Sequence, residues 1–340
     1  MTNKCYYGKA SHPVLGKTRV TSTESVNLDI WDFFYEQISN GQFSAEVRNF
    51  WVDDSILLVE EFGNQSVMSE GQLSDDHIAL TLLGAEKDTG VFCGKPYGTD
   101  QFAFLSRGAG FEIYTNQPLN MFTVTLNLND PNFGDIEDAA RLVGCGSKRR
   151  CDVICDRKLG TALRALQRDL HDALGFRPDI VESQSFRAQL KDQIIFSIGS
   201  QLGPALIESR TGKQTPASAW MMSEVRRLIL GDVDGELSLT EICKKLKISH
   251  RTLHKNIHDH IGVGPLAFCR YVRLNAARND ILHLGRGRAG PSIAEIAEKR
   301  GFWHLPRFAG YYRQVFGELP SETLKRSKSW SSRAQSECLA

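Results

Sequence analysis

Residues 237–262, LSLTEICKKLKISHRTLHKNIHDHIG, and 291–317, PSIAEIAEKRGFWHLPRFAGYYRQVFG, share one shape: a short helix, a polar turn and a second helix. In the first segment Leu239, Ile242 and Leu246 fall on one helical face, Ser249 is suited to cap the next helix, and Leu253 and Ile257 turn inward. In the second, Ile293, Ile296 and Ala297 form the face, Gly301 allows the tight turn, and Phe308, Tyr312 and Phe316 turn inward. A helix-turn-helix needs this arrangement, because its second helix lies over the first while its far face enters the major groove. One such pattern is common to many helical hairpins. Two of them, joined by the helical stretch PLAFCRYVRLNAARNDILHL at 265–284, are far more specific.

The charge distribution agrees. The formal net charge of +1 averages over opposite halves. Residues 1–130 hold 8 Lys/Arg against 17 Asp/Glu, a balance of −9, and residues 131–220 come to about +2. Residues 221–330 hold 19 Lys/Arg against 11 Asp/Glu, which is +8, and carry six of the nine histidines. A polyanion partner is expected for the C-terminal part alone.

Ser249, Leu253, Ile257, Gly262 and Pro265, then Arg273–Leu274 and Ala277–Arg278, make the sequence resemble the AraC/XylS transcription regulators. The likeness continues through Ile293, Ile296–Ala297, Gly301–Phe302, Phe308, Tyr312, Phe316–Gly317 and Pro320–Ser321, and covers residues 222–326. The GFWHL run and the long N-terminal part look most similar to the ethanolamine-operon regulators within that family. The resemblance implies a sequence-specific regulator, an activator more than a repressor. Its partners would be double-stranded promoter DNA and RNA polymerase, with a small-molecule effector and a homodimer also in prospect. The two recognition helices would enter successive major grooves about 34 Å apart. A rigid bridging helix would bend the duplex at a cost of order 1–6 kcal/mol.

By position, Arg251, His254 and Lys255 are the base readers of the first unit, with His250 and Thr252 near the DNA backbone. In the second unit His304, Leu305 and Arg307 are the base-contacting candidates and Arg313 the backbone one. This second helix departs from the family. Leu305, Pro306, Ala309 and Gly310 offer almost no hydrogen-bonding groups to bases, and Gly310 stands where the family usually has an arginine. The first unit should therefore set most of the specificity and the second mostly add affinity.

Outward from this module, SRTGKQTPAS at 209–218 reads as a linker. DIEDAARLV, RKLGTALRALQRDLHDALG and SFRAQLKDQIIFSIGSQL read as helices; in the second, Leu159, Leu163, Leu166, Leu170 and Ala173 step 4-3-4-3, a seam suited to dimerisation. Residues 42–128 carry short apolar runs with period-two stretches, implying a β-sandwich or barrel. WDFFYEQIS at 31–39 reads as a short helix packed on it. Residues 1–27 read as a loose arm and SKSWSSRAQSECLA as a loose tail. The expected fold is α+β: a mostly antiparallel, cupin-like β regulatory domain over 1–130, a helical linker and dimerisation region over 131–208, and an all-α double helix-turn-helix domain over 219–326.

Neither a membrane span nor a signal-peptide core is evident, so a cytoplasmic protein is expected. The eight cysteines then read as reduced thiols, and the spacing of Cys145, Cys151 and Cys155 matches no zinc site. Only His12 and His77 lie in residues 1–170, too few for a metal-binding cupin, and there is no G-x-S-x-G, H-x-H or phosphate loop. No enzyme, cofactor or metal is expected. Arg164 and Arg168 read as a solvated helix face. Asp53, Asp54, Glu60, Glu61 and Glu112 are candidates to hold a cationic effector, and spacing singles out none of them.

Overall fold

The computed structural model describes residues 15–20, 25–28, 30–83, 90–98, 101–134, 136, 151–176, 178–209, 221–232, 235–286 and 290–337. The strands are β1 (Leu15–Val20), β2 (Ser25–Asn27), β3 (Trp31–Gln37), β4 (Ala45–Asp53), β5 (Ile56–Gly63), β6 (Val67–Leu73) and β7 (His77–Leu83). They continue with β8 (Gly90–Phe92), β9 (Lys95–Tyr97), β10 (Phe102–Leu105), β11 (Gly110–Thr115), β12 (Asn120–Asn127) and β13 (Cys151–Ile154). The helices are α1 (Arg157–Phe176), α2 (Gln184–Ile194), which runs through a π-turn at Ile195–Gly199 into α3 (Ser200–Ser209), and α4 (Met221–Leu230). After these come α5 (Leu239–Leu246), α6 (His250–Ile261), α7 (Pro265–Arg286), α8 (Ile293–Lys299), α9 (Leu305–Phe316) and α10 (Pro320–Glu337).

Two antiparallel sheets form the N-terminal part, ordered β1-β4-β5-β12-β7-β10-β13 and β2-β3-β6-β11-β8-β9. The central strands of both are covered on both faces. Between them lies a core of Trp31, Phe33, Tyr35, Val59, Phe92, Ile113 and Met121. The outer face of the seven-stranded sheet presents Phe50, Leu58, Leu80, Phe104 and Val124 to α1, α2 and α3. The outer face of the six-stranded sheet presents Phe34, Ile38, Met68, Val91 and Tyr114 to the C-terminal helices. Double coverage explains why β5, β7 and β12 read as near-continuous apolar runs instead of a clean alternation.

Several sequence expectations change. WDFFYEQIS is a strand, not a helix: β3 pairs with β2 and β6, and Trp31, Phe33 and Tyr35 face the inter-sheet core while Phe34 and Glu36 face the helices. Its aromatic residues favour a pleated surface, and its period is two. The expected N-terminal arm contains β1, which pairs with β4 from Leu15↔Phe50 to Val20↔Ala45. The expected loose tail continues α10 to Glu337, anchored on α7 where Ser327 donates to the Leu282 carbonyl at 2.8 Å. The 4-3-4-3 seam is spent within the chain: Leu159, Leu163, Leu166 and Leu170 are buried in the core under the seven-stranded sheet. That face is covered by the chain's own sheet. Arg164 is not simply solvated, since its guanidinium donates to the Leu83 carbonyl at 3.1 Å.

The helix expected at DIEDAARLV, except Ile136, lies outside the described residues, as do Cys145 and, apart from Ser209, the linker at 209–218. The hydrogen bond between the Cys93 and Cys151 thiols, with burial, pushes the Cys93 thiol up. No described helix is long and apolar enough to cross a membrane.

Truncating the seam tests its inward orientation. Leu163→Ala should lower the unfolding free energy in urea by about 2–5 kcal/mol, while sedimentation of the folded protein shows unchanged self-association.

Candidate nucleic-acid interface

Each helix-turn-helix unit is set by local chemistry. Ser238 caps α5 in a capping box with Glu241, and Ser292 caps α8 in the same way with Glu295. The capping hydrogen bonds hold the Glu241 and Glu295 carboxyls below their usual range. Ser249 caps α6 by accepting from the Thr252 amide at 3.0 Å. The turn of the second unit needs Gly301, whose φ is +78° and whose Cβ would lie 2.4 Å from the Gly235 carbonyl oxygen.

The bridging helix α7 spans about 33 Å at 1.5 Å per residue. It is buried nearly all round, with Phe268, Val272, Leu274, Ala277 and Ile281 in one core with Leu253 and Ile257 of α6 and Phe308 and Tyr312 of α9. Arg278, one of the residues behind the resemblance, is buried here. Its guanidinium pairs with Glu318 at 2.7 Å and lies 4.5 Å from the Phe316 ring centroid. Both recognition helices are thus fastened to one rigid element.

Arg251, His254 and Lys255 all lie exposed on α6. The His254 ring stacks on His258 with centroids 5.9 Å apart. His250 leans toward α5, its Nε2 3.4 Å from the Thr240 hydroxyl, and the Thr252 hydroxyl is 2.9 Å from that of Ser249. In the second unit His304 is the N-cap of α9, its Nδ1 accepting from the Arg307 amide at 3.3 Å. That bond puts the ring proton on Nε2, leaving an outward donor. Leu305, Pro306, Arg307, Gly310 and Arg313 are exposed, and Ala309 is half-buried. Arg270 of α7 stacks on Tyr311, 4.0 Å from its centroid, which steadies α9. Sequence reasoning passed over Trp303, 66% exposed just before α9; the GFWHL run was the available signal.

The module is also clasped to the six-stranded sheet. Arg226 of α4 donates to both Glu36 oxygens at 2.8 and 3.2 Å and to Glu70 at 2.9 Å. Burial raises the Glu36 carboxyl despite this partner. Asn275 of α7 accepts from the Gln37 amide at 3.1 Å and donates to the Gln37 carbonyl at 2.8 Å. Ser223 donates to Glu112, which also accepts from Tyr114.

The family model described as a helix-turn-helix domain matches residues 242–326. The probable thc operon regulatory protein of Rhodococcus erythropolis is 34% identical over 89 residues, 26% of this chain and 26% of the relative. XylDLEGF operon transcriptional activator 2 of Pseudomonas putida is 35% identical over 104 residues, 31% of this chain and 65% of the relative. The chain therefore spans about a quarter of the first relative and just under two thirds of the second. Among solved structures, the AraC-like transcriptional activator CuxR matches over 72% of this chain and 85% of its own, at 16% identity and a TM-score of 0.37. Residues 242–326 are a helix-turn-helix domain similar to those of AraC/XylS-type regulators.

Two substitutions test these assignments. Arg226→Met strands the buried Glu36 carboxylate and should cost about 3–5 kcal/mol in chemical unfolding, most of it recovered by adding Glu36→Leu. A Cβ on Gly310 meets nothing within 4 Å. Gly310→Ala should therefore raise stability by roughly 1 kcal/mol in the same assay.

Proposed function

We propose that this chain is a sequence-specific transcription regulator of the AraC/XylS type, in which residues 1–130 govern DNA binding by residues 219–326. The observation that carries this reading is the pair of capped helices, α6 and α9, fixed to one buried bridging helix with basic faces left open. Arg251 and Lys255 offer donors matched to guanine O6 and N7, and His254 offers one to a base edge. His250, Thr252 and Arg313 hold phosphates. On α9, Arg307 and His304 supply hydrogen bonds, and Leu305 supplies an apolar surface for thymine methyls. The names of the matched relatives favour activation; an activator of this kind would take RNA polymerase as its protein partner. The GFWHL run favours the ethanolamine-operon branch of the family.

The test is a selection of bound duplexes from a random library with the full chain at about 150 mM salt. An asymmetric motif with two elements one helical turn apart is expected. Arg251→Ala should then cost about 1–3 kcal/mol on that site and relax preference at one position. Arg307→Ala should weaken binding evenly across sequences. Retained preference in Arg251→Ala with loss of it in Arg307→Ala would reverse the assignment, and binding that merely fades with salt would reduce the protein to a backbone binder.

A further inference from the structure

The last carbonyl groups of a helix lack partners within it. At the end of α9, the second recognition helix, the Arg313 carbonyl accepts from the Gly317 amide at 2.8 Å, as a glycine cap provides. The next two carbonyls are served from far away in the sequence. The Gly41 amide, in the turn between β3 and β4, donates to the Gln314 and Val315 carbonyls at 3.0 and 3.2 Å. The Gln37 side chain at the end of β3 donates through Nε2 to the Val315 carbonyl at 2.7 Å, across 278 positions of sequence. Gly317 admits this approach: a Cβ there would lie 2.9 Å from that of Gln42.

Gln37 thus joins two helices of the module to the sandwich. Its backbone amide and carbonyl bond Asn275 of α7, and its side chain bonds α9. The Tyr271 hydroxyl of α7 donates to Asn40 of the same turn at 3.2 Å. On the inner face of β3, Trp31 and Phe33 wall a small cavity shared with Glu61 and with a Ser69 hydroxyl that has no partner among the described residues; the end of the strand belongs to the module instead. Gln37 is fully buried, and its Nε2 also serves the Ser39 carbonyl at 2.8 Å, yet its Oε1 meets no donor among the described residues. An unpaired buried amide oxygen costs free energy that an apolar side chain of the same length avoids. The donor end of this amide is therefore what the position requires. The contact also leaves the helix free to read, because Leu305, Arg307, Gly310 and Arg313 of α9 are exposed.

We propose that Gln37 is a positioning residue for DNA binding: with the Gly41 amide it latches the C-terminal end of α9 beside α7, fixing the angle at which the second unit meets the duplex. The DNA role rests on the regulatory reading; the latch itself does not. A recognition helix free to pivot at one end has to be ordered on binding, at a cost in affinity. The latch acts on α9, so α6 serves as the internal control.

The test uses the full chain. In the wild type, hydrogen exchange followed by NMR should find the Gly41 amide protected to the same order as the amides in the body of α9, since its acceptors are α9 carbonyls. This arm stands whether or not a variant folds. Gln37→Met keeps the length of the side chain and removes the donor. It should speed exchange at Gly41 and Gly317 by about two- to tenfold and leave α6 unchanged. On the duplex selected from the random library it should bind about three- to tenfold more weakly. On the same duplex shortened to the element marked by Arg251→Ala, it should bind as the wild type does. A merely structural role would weaken both alike. A rapidly exchanging Gly41 amide in the wild type, or a folded Gln37→Met that loses equally on both duplexes or on neither, would overturn the proposal. If no motif is selected, the regulator reading falls and takes the DNA role of the latch with it; a selected motif that Gln37→Met binds as tightly as the wild type defeats the latch alone.

Discussion

The six-stranded sheet carries apolar side chains on both faces, and the rest of the molecule is arranged around that constraint. Along β3, Trp31, Phe33 and Tyr35 face the inter-sheet core while Phe34 and Glu36 face the C-terminal helices. Along β6, Ser69 lines the cavity while Met68 and Glu70 face α4 and its neighbours, and along β11 Ile113 is inside while Glu112 and Tyr114 are outside. Side chains on a strand alternate by geometry, so the inner and outer sets are locked to one backbone. A one-residue slip would exchange them, burying Glu36 among Phe92 and Ile113. The cavity and the helix-turn-helix module are thus separated by a single layer of peptide.

The clasp across that layer is polar as well as apolar. Asn275 meets the Gln37 backbone as a neighbouring strand would, satisfying both groups at the end of β3. Arg226 is held by two carboxylates, one buried and one half-exposed. Such contacts are directional, so they fix where the module sits as well as that it sits there. Within the module the same logic recurs: Arg278, Glu318, Tyr312 and Thr323 form one buried polar group around which α7, α9 and α10 close. A buried charge tolerates little displacement of its partners, and the recognition helices inherit that rigidity.

The helix-turn-helix module was legible because its signals are local. Ser249 precedes its helix by one residue, Gly301 sits in its own turn, and Phe308, Tyr312 and Phe316 repeat at helical spacing within one element. The β region was legible only in part. β5, β7 and β12 declared themselves through β-branched and apolar runs, but double burial blurred the alternation, and WDFFYEQ could not reveal which of its two faces met a helix. β6, VMSEGQL, is too polar and glycine-containing to read as a buried strand until its outer Met68 and Glu70 are seen against α4. The leucine seam of α1 reads the same whether the apolar partner is a second copy or the chain's own sheet.

What the sequence by itself determined is therefore the class of the C-terminal module, the location of its caps and turns, the residues left exposed on α6 and α9 and the sign of its charge. These depend on neighbours within about four positions along the chain. The tertiary structure alone decided which of five acidic candidates shares a cavity with an unpartnered hydroxyl, and that this cavity shares a wall with the helix-turn-helix module. Glu61, Tyr35 and Ser69 come from three strands of two sheets, and Arg226 meets Glu36 across 190 positions of sequence. Pairing of that kind is set by strand register and sheet packing, which no local pattern encodes.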